Sequence, residues 1–459
     1  MITSKIFNST NIIILGMGLT GDSLAKALLK SGANVFFWDD NKLIRKKYIK
    51  TKYQIYNKYK FNWKIIDYLV PSPGISTNGR KANKLVKLAR QNKCKVVSEL
   101  DLFQNYLNNS EYKDQVKAIA ITGTNGKSTV ASLLYHVLKK NKIPSSLVGN
   151  IGNSIFSSQK LKRGFYIIEV SSYQLESSKT FSPDVACILN LSNDHLERHG
   201  NLNNYAAKKI KIFQNLTKNQ FGIIGINHPI LKKEKNRLVR IFNKNIISVD
   251  FNKKRLSYFS KNKKKLINKN IKKYKINNTQ LQGEHNAHNI LFIINILKLF
   301  NIKLFNILDA LKSFQGLEHR QEVVFSNKKL LIINDSKSTN FESVIPALKN
   351  YNNIYLICGG IPKTKNIKVL NPYKKQLVKV YIIGLNKKLF FNYFKKDSET
   401  FYVRNLSKAV RMIFLDCRKD KSFKTVVFSP GASSFDQFKS FEDRGDSFKR
   451  LVSSELKNV

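Results

Sequence analysis

The stretch that decides the fold runs from 116 to 138, VKAIAITGTNGKSTVASLLYHVL. An apolar, strand-like run ends at Thr122, the loop GTNGKS follows, and an amphipathic helical run begins at once. A strand that feeds a glycine loop opening a helix turns backbone N–H groups and the positive helix end toward an anion. The pattern predicts a phosphate cradle at Gly123, Thr124, Asn125 and Gly126, with Lys127 on the outer phosphates and Ser128 or Thr129 near Mg²⁺. The glycine spacing is shorter than in GxxxxGK[ST], so the reading rests on the agreement of strand, loop, Lys-Ser-Thr and helix.

Further strands follow, each ending in polar residues. YIIEVSSYQLE places Glu169 at a strand end, where a parallel sheet opens its ligand crevice and a carboxylate can offer an oxygen to Mg²⁺. CILNLSNDHLERHG places Asp194 and His195 after the next strand; such a His can orient a ligand or touch a metal, although a lone His reads more readily as a structural one. Lys209, in YAAKKIKIF, reads by default as part of a solvated helix face. Beyond KLLII, the segment NDSKSTN at 334–340 brings Asp335, Lys337 and Thr339 out at a strand end, and FSPGASSFDQFKSFEDRG at 428–445 does likewise. Lys337 and the Ser434 hydroxyl are suited to a carboxylate, one as a point charge and one as a donor.

Upstream, NIIILGMGLTGDS at 11–23 carries the glycines of a dinucleotide fingerprint, and Asp39 or Asp40 ends the next strand about where a ribose-binding acid would sit. A dehydrogenase is one reading of that motif and a ligand-free tight turn another. Strands and helices alternate through NIIIL, SLAKALLKS, NVFFW, DYLVPSPG, NKLVKLARQ and KVVSEL, which implies βαβ units and a parallel sheet. The expected fold is therefore α/β with three domains. A Rossmann-like unit takes 1–111, a P-loop ATPase-like parallel sheet 112–316, and a second Rossmann-like unit 317–459. NNSEYKDQ at 108–115 reads as the first linker, the Lys/Asn-rich 252–278 as a hairpin excursion, and NILFIINILKLF at 289–300 as a buried helix too short to span a bilayer.

The formal net charge of +51 comes from 81 basic and 30 acidic residues. Lys, Asn and Ile are abundant throughout, and no zinc-finger, aromatic-interleaved or helix-turn-helix pattern accompanies the charge, so no specific nucleic-acid partner is expected. Such a field still attracts anionic ligands. Cys94, Cys187, Cys358 and Cys417 are far apart and form no CxxC pair, which argues against a disulfide framework or zinc site and suits a reducing cytoplasm. No secretory signal pattern is seen and no membrane insertion is expected.

Taken together, GTNGKST, EVSSYQLE, NDHLERHG, GEHNAHN, GLEHRQE, NDSKSTN and SPGASSFDQF resemble the Mur ligases of peptidoglycan synthesis in order and spacing, over nearly the whole chain. Within the family, NDSKSTN and SPGASSFDQF look like the branch that adds D-glutamate to UDP-N-acetylmuramoyl-L-alanine; other branches carry DYAH-like or DDSYNANP-like segments there. The resemblance implies that the N-terminal glycine motif holds a UDP-sugar instead of NAD, through Leu19, Thr20, Asp39 or Asp40, and Gly74.

It also implies that ATP phosphorylates the L-alanyl carboxylate and that the D-glutamate amine then displaces phosphate. Lys127 would hold the ATP phosphates, Ser128 and Glu169 one Mg²⁺, and His195 a second. Lys209, with Lys208 as the fallback, would match the family's carbamylated lysine. Asn150 would lie near substrate, and Asn289, Arg320 and Asp335 near nucleotide. Lys337, Thr339, Lys363, Ser434, Phe435 and Phe441 would form the D-glutamate pocket. Closure of the C-terminal domain over ATP, and a monomeric state, are further expectations of the resemblance.

Overall fold

The structure, a computed structural model, describes residues 1–48, 53–55, 62–79, 82–242, 245–250, 255–260, 265–270, 281, 284–364, 366–419 and 422–457. Three sheets follow one another along the chain. The first holds β1 (Asn11–Leu15), β2 (Asn34–Trp38), β3 (Gln54–Ile55), β4 (Tyr68–Pro71) and β5 (Lys95–Val96), all parallel, in the order β3-β2-β1-β4-β5. The second holds β6 (Val116–Thr122), β7 (Ser145–Gly149), β8 (Gly164–Glu169), β9 (Val185–Ile188), β10 (Phe221–Gly225) and β11 (Ile246–Val249). It is parallel throughout and ordered β11-β10-β9-β6-β8-β7.

A hairpin of β12 (Arg255–Ser260) and β13 (Lys265–Asn270) pairs antiparallel within the segment expected to hold one; residues 252–254, 261–264 and 271–278 of that expectation lie outside the described residues. The third sheet, β14-β15-β19-β16-β17-β18, comprises β14 (Glu322–Ser326), β15 (Leu330–Asn334), β16 (Ile354–Gly359), β17 (Leu377–Ile383), β18 (Glu399–Arg404) and β19 (Lys424–Phe428). Only its edge pair β14–β15 is antiparallel.

Covered on both faces, the strands read as near-continuous apolar runs. In the third sheet alternate residues feed two cores. Ile333, Leu356, Val380 and Val427 pack on one side with the helix Phe341–Asn350, and Ile332, Ile357, Tyr381 and Val426 on the other with the helices Leu406–Lys419 and Phe441–Lys457.

Two local readings need correction. KVVSEL is not one strand, because β5 is only two residues long and Ser98 instead caps the helix Glu99–Asn108 in a capping box with Asp101. The helix read from 289 begins earlier, at Glu284, and runs to Leu299 with its apolar residues buried on all sides.

By compactness the chain divides into two units. One carries the first two sheets; the other carries the third sheet together with Ser192–Leu202 and the first turns of the helix Glu284–Leu299. Among the described residues no helix is long and apolar enough to cross a membrane.

Candidate active site

In the first unit, β6 ends at buried Thr122 and the helix Lys127–Lys140 starts on Gly126, whose φ of 82° is the left-handed turn that a side chain would strain. Lys127 folds back over this loop, donating from Nζ to the carbonyls of Gly123 (3.0 Å) and Thr124 (2.8 Å). Asn190, just past β9, holds the other side. Its Oδ1 accepts the Asn125 N–H at 2.9 Å, and its carbonyl accepts the Thr124 N–H at 3.1 Å. Asn190 escaped the sequence reading, although an Asn directly behind an apolar strand was a visible signal.

β8 lies beside β6 in a register that pairs Glu169 with Ile121, so the carboxylate stands one residue short of the loop. It is buried, as is Ser128, and Asn150 donates Nδ2–H to its Oε1 at 3.0 Å. A hydroxyl and a carboxylate near a phosphate cradle are the hard oxygen donors that Mg²⁺ takes alongside substrate phosphates, so the residues fit that ion.

Lys209 departs most from its sequence reading. It is 1% exposed, far from a solvated face: its Nζ lies 4.5 Å above the Tyr205 ring and donates to the Gly123 carbonyl at 2.8 Å. Lys208 is half-buried. Two lysines thus converge on the Gly123 carbonyl, one from within the loop and one from a helix more than eighty positions later.

The N-terminal motif is closed by Asp39, whose Oδ2 accepts the Met17 N–H at 2.8 Å while Oδ1 accepts that of Asn41 at 2.9 Å. Asp40 instead accepts from the Trp38 indole at 3.0 Å. Asp39 therefore fixes the glycine turn itself. Leu19 and Gly74 are exposed and Thr20 half-buried.

In the second unit, His195 takes a left-handed backbone (φ 53°) at the start of a short helix, with its ring nitrogens 3.5 Å from Asp194 and 3.4 Å from Glu197. Burial lowers its pKa; Asp194 opposes and Lys363 adds to the shift. The balance favours the neutral imidazole, the form that ligates metals. Lys363 pairs with Asp194 at 3.3 Å, which brings two of the sequence motifs together.

Asp335 is buried, accepting from Ser338 (2.5 Å), Ser429 (2.7 Å) and the Gln321 N–H (3.1 Å); burial pushes its carboxyl up to about 6 against these donors. Asn289 is buried and donates to Asn286, and Arg320 is half-buried. Lys337 stacks its Nζ 3.5 Å over the Phe441 ring, and Ser434 is buried. Thr339 is half-buried, whereas Phe435 is 74% exposed.

Parallel sheets, a phosphate loop entering a helix and a buried carboxylate at the neighbouring strand end define an α/β enzyme built to handle a nucleotide's phosphates. The family described as the Mur ligase middle domain matches residues 121–297. Over 455 residues and 98% of both chains, the sequence is 32% identical to the UDP-N-acetylmuramoylalanine–D-glutamate ligase of Rickettsia bellii. The enzyme of the same name from Rickettsia felis is 33% identical over 95% of this chain and 96% of its own. The chain belongs to the Mur ligase family.

Solved structures share the fold. MurF from Acinetobacter baumannii has a TM-score of 0.59 at 13% identity, covering 99% of this chain and 93% of its own. MurC from Thermotoga maritima has 0.57 at 19% identity, covering 98% and 99%.

Proposed function

We propose that this chain joins D-glutamate to UDP-N-acetylmuramoyl-L-alanine in the cytoplasm as a monomer, with conversion of ATP to ADP and phosphate. The near full-length likeness to relatives named for that reaction carries the reading. On this reading domains end near 111 and 316, the first gripping the UDP-sugar through Leu19, Thr20, Asp39 and Gly74.

A carboxylate does not acylate an amine until one of its oxygens becomes a leaving group. In the first step the L-alanyl carboxylate oxygen attacks the γ-phosphorus of ATP, the bond to the β-phosphate bridging oxygen breaks, and ADP leaves. In the second step the D-glutamate amine attacks the acyl phosphate carbonyl, an amide C–N bond forms, and phosphate departs with its oxygen while the nitrogen loses a proton.

Catalysis of this kind is positioning and charge neutralisation. Lys127 and the N–H groups at the start of its helix, from Gly126 to Thr129, hold the phosphates, while Asn190 fixes the N–H groups of Thr124 and Asn125 in the loop that leads there. Ser128 and Glu169 would hold one Mg²⁺ and His195 a second, a Lys209 carbamate would offer a hard cation an oxygen ligand, and these ions would supply charge neutralisation on the transferring phosphoryl group. Asn150 lies near the UDP-sugar substrate. Asn289, Arg320 and Asp335 contact nucleotide, and Lys337, Thr339, Lys363, Ser434, Phe435 and Phe441 form the D-glutamate pocket, its basic and hydroxyl groups receiving the two carboxylates.

The test is phosphate release with Mg-ATP and the UDP-sugar substrate, comparing D-glutamate with L-glutamate, L-lysine and diaminopimelate. Turnover with D-glutamate alone, lost in Lys127→Ala, is expected. Preference for another amino acid would preserve the phosphoryl chemistry and overturn the pocket assignment.

A further inference from the structure

Behind NDSKSTN and SPGASSFDQF lies a side chain that neither motif reading used. Arg444, in the first turn of the helix Phe441–Lys457, is 1% exposed. Among the described residues its guanidinium meets neutral acceptors only: Nε donates to the Ser336 hydroxyl (3.0 Å), Nη2 to the Ser336 carbonyl (2.7 Å) and Nη1 to the Ala432 carbonyl (3.1 Å). Burial pushes its pKa down to about 10, with Asp436 and Asp335 acting only at longer range. A buried cation without a contacting carboxylate carries a desolvation cost that an apolar residue would avoid. Stability alone is a weak reason to place one there.

The residues it holds belong to the loops of the candidate amino-acid pocket. Ser336 precedes Lys337, and two bonds to one residue fix both its peptide plane and its side chain. The Ser336 hydroxyl in turn donates to the Phe441 carbonyl at 2.8 Å, tying down the residue whose ring underlies the Lys337 ammonium. Ala432 stands two residues before Ser434. The same two loops meet again where the Gly431 N–H donates to the Ser338 carbonyl at 2.9 Å. The loop leading to Lys363 joins them through reciprocal Ile361–Ser433 backbone bonds of 3.1 and 2.9 Å. A Cβ at Gly360 would come within 2.4 Å of the Ser433 carbonyl, so the approach requires glycine.

We infer that Arg444 is the positioning residue of the amino-acid pocket, its planar fork setting the spacing between the loop that carries Lys337 and the loop that carries Ser434. The inference rests on the reading that these loops receive the incoming amino acid. A lysine would keep the charge and lose the three divergent donors.

The experiment compares Arg444→Met, Arg444→Lys and Ser336→Ala with the parent enzyme, measuring melting temperature, kcat, and KM for the amino acid, ATP and the UDP-sugar substrate separately. Folded Arg444→Met is expected to raise the amino-acid KM about tenfold or more while the other two KM values move less than about twofold. Arg444→Lys should remain about fivefold impaired, and Ser336→Ala about threefold, in the same parameter. An amino-acid KM within twofold of the parent in folded Arg444→Met, or parallel losses for all three substrates, would overturn the inference. If Arg444→Met does not fold, Ser336→Ala decides, and an unchanged amino-acid KM there counts against it. A parent that turns over an amino acid other than D-glutamate refutes the proposed function, and the KM for that other acid still tests Arg444.

Discussion

The Lys209 Nζ lies 2.8 Å from the Gly123 carbonyl oxygen, buried beneath the first glycine of the phosphate loop. Lys127 Nζ approaches the same carbonyl at 3.0 Å, so two amino groups meet at the loop that the proposed function assigns to phosphate and divalent cation. As an ammonium, Lys209 would repel Mg²⁺. Addition of CO₂ to its neutral amine forms an N–C bond, releases a proton and leaves an anionic oxygen donor suited to a hard cation.

Lys209→Ala is accordingly expected to lower turnover by about 100-fold or more. Protein equilibrated with ¹³C-bicarbonate should show a carbamate resonance that is absent in Lys209→Ala and present in Lys208→Ala. A resonance lost only in Lys208→Ala would move the modification to its neighbour.

Asp101 joins the helix Glu99–Asn108 to the segment after Ser172–Ser177. Its Oδ1 accepts the N–H groups of Lys179 (2.9 Å) and Thr180 (2.8 Å) and the Ser178 hydroxyl (3.0 Å), while Oδ2 accepts the Ser98 N–H at 2.9 Å. Removing a buried acceptor strands all of these donors. Asp101→Ala should cost about 3 kcal/mol in urea unfolding and Asp101→Asn less, since the amide keeps one oxygen. Equal losses would assign the effect to charge instead of hydrogen bonding.

Asp101 and Arg444 also show where the sequence stops being informative. Backbone requirements are local, so glycine loops and apolar strands could be read directly, and the GTNGKST turn lies where its spacing put it. Ser98 with Asp101 three positions on carried a cap signal inside KVVSEL, but the apolar run outweighed it. No spacing rule links Asp101 to Thr180, Arg444 to Ser336, or Lys209 to Gly123, because these partners meet only through the fold. The edge strand Glu322–Ser326 was missed for a related reason: it is half-exposed and its apolar run, Val323 to Phe325, is only three residues long.

The glycines of GMGLTG divide into two kinds. A Cβ on Gly21 would sit 2.0 Å from the Gly16 carbonyl oxygen, a backbone atom that cannot yield without moving the turn. One on Gly18 would meet nothing within 4 Å. Gly21→Ala is expected to destabilise the first sheet by about 3 kcal/mol or more. Gly18→Ala should melt near the parent while weakening binding of the UDP-sugar substrate, measured by calorimetry, because its open side is where the backbone would approach pyrophosphate. Normal binding by Gly18→Ala would remove the motif from the nucleotide-sugar site.

Glu99 makes stability depend on pH. It is 5% exposed, its Oε1 has no hydrogen-bond partner among the described residues, and burial pushes its carboxyl from 4.5 up to about 8 against the N–H groups of Phe156 and Ile155. A carboxyl that holds its proton more tightly when folded stabilises the native state below the unfolded-chain value, and that contribution is lost as pH rises through the folded value. The parent is therefore expected to lose stability between about pH 4.5 and 8, relative to Glu99→Gln, which keeps an acceptor and never ionises. Above pH 8 the variant should be the more stable protein by on the order of 5 kcal/mol, read from denaturant unfolding at pH 5, 7 and 9. A parent that matches or exceeds the variant at pH 9 would mean that the two N–H donors hold Glu99 as a carboxylate throughout, with the helix Glu99–Asn108 anchored to Ile155–Ser157 by charge instead of by a neutral carboxyl.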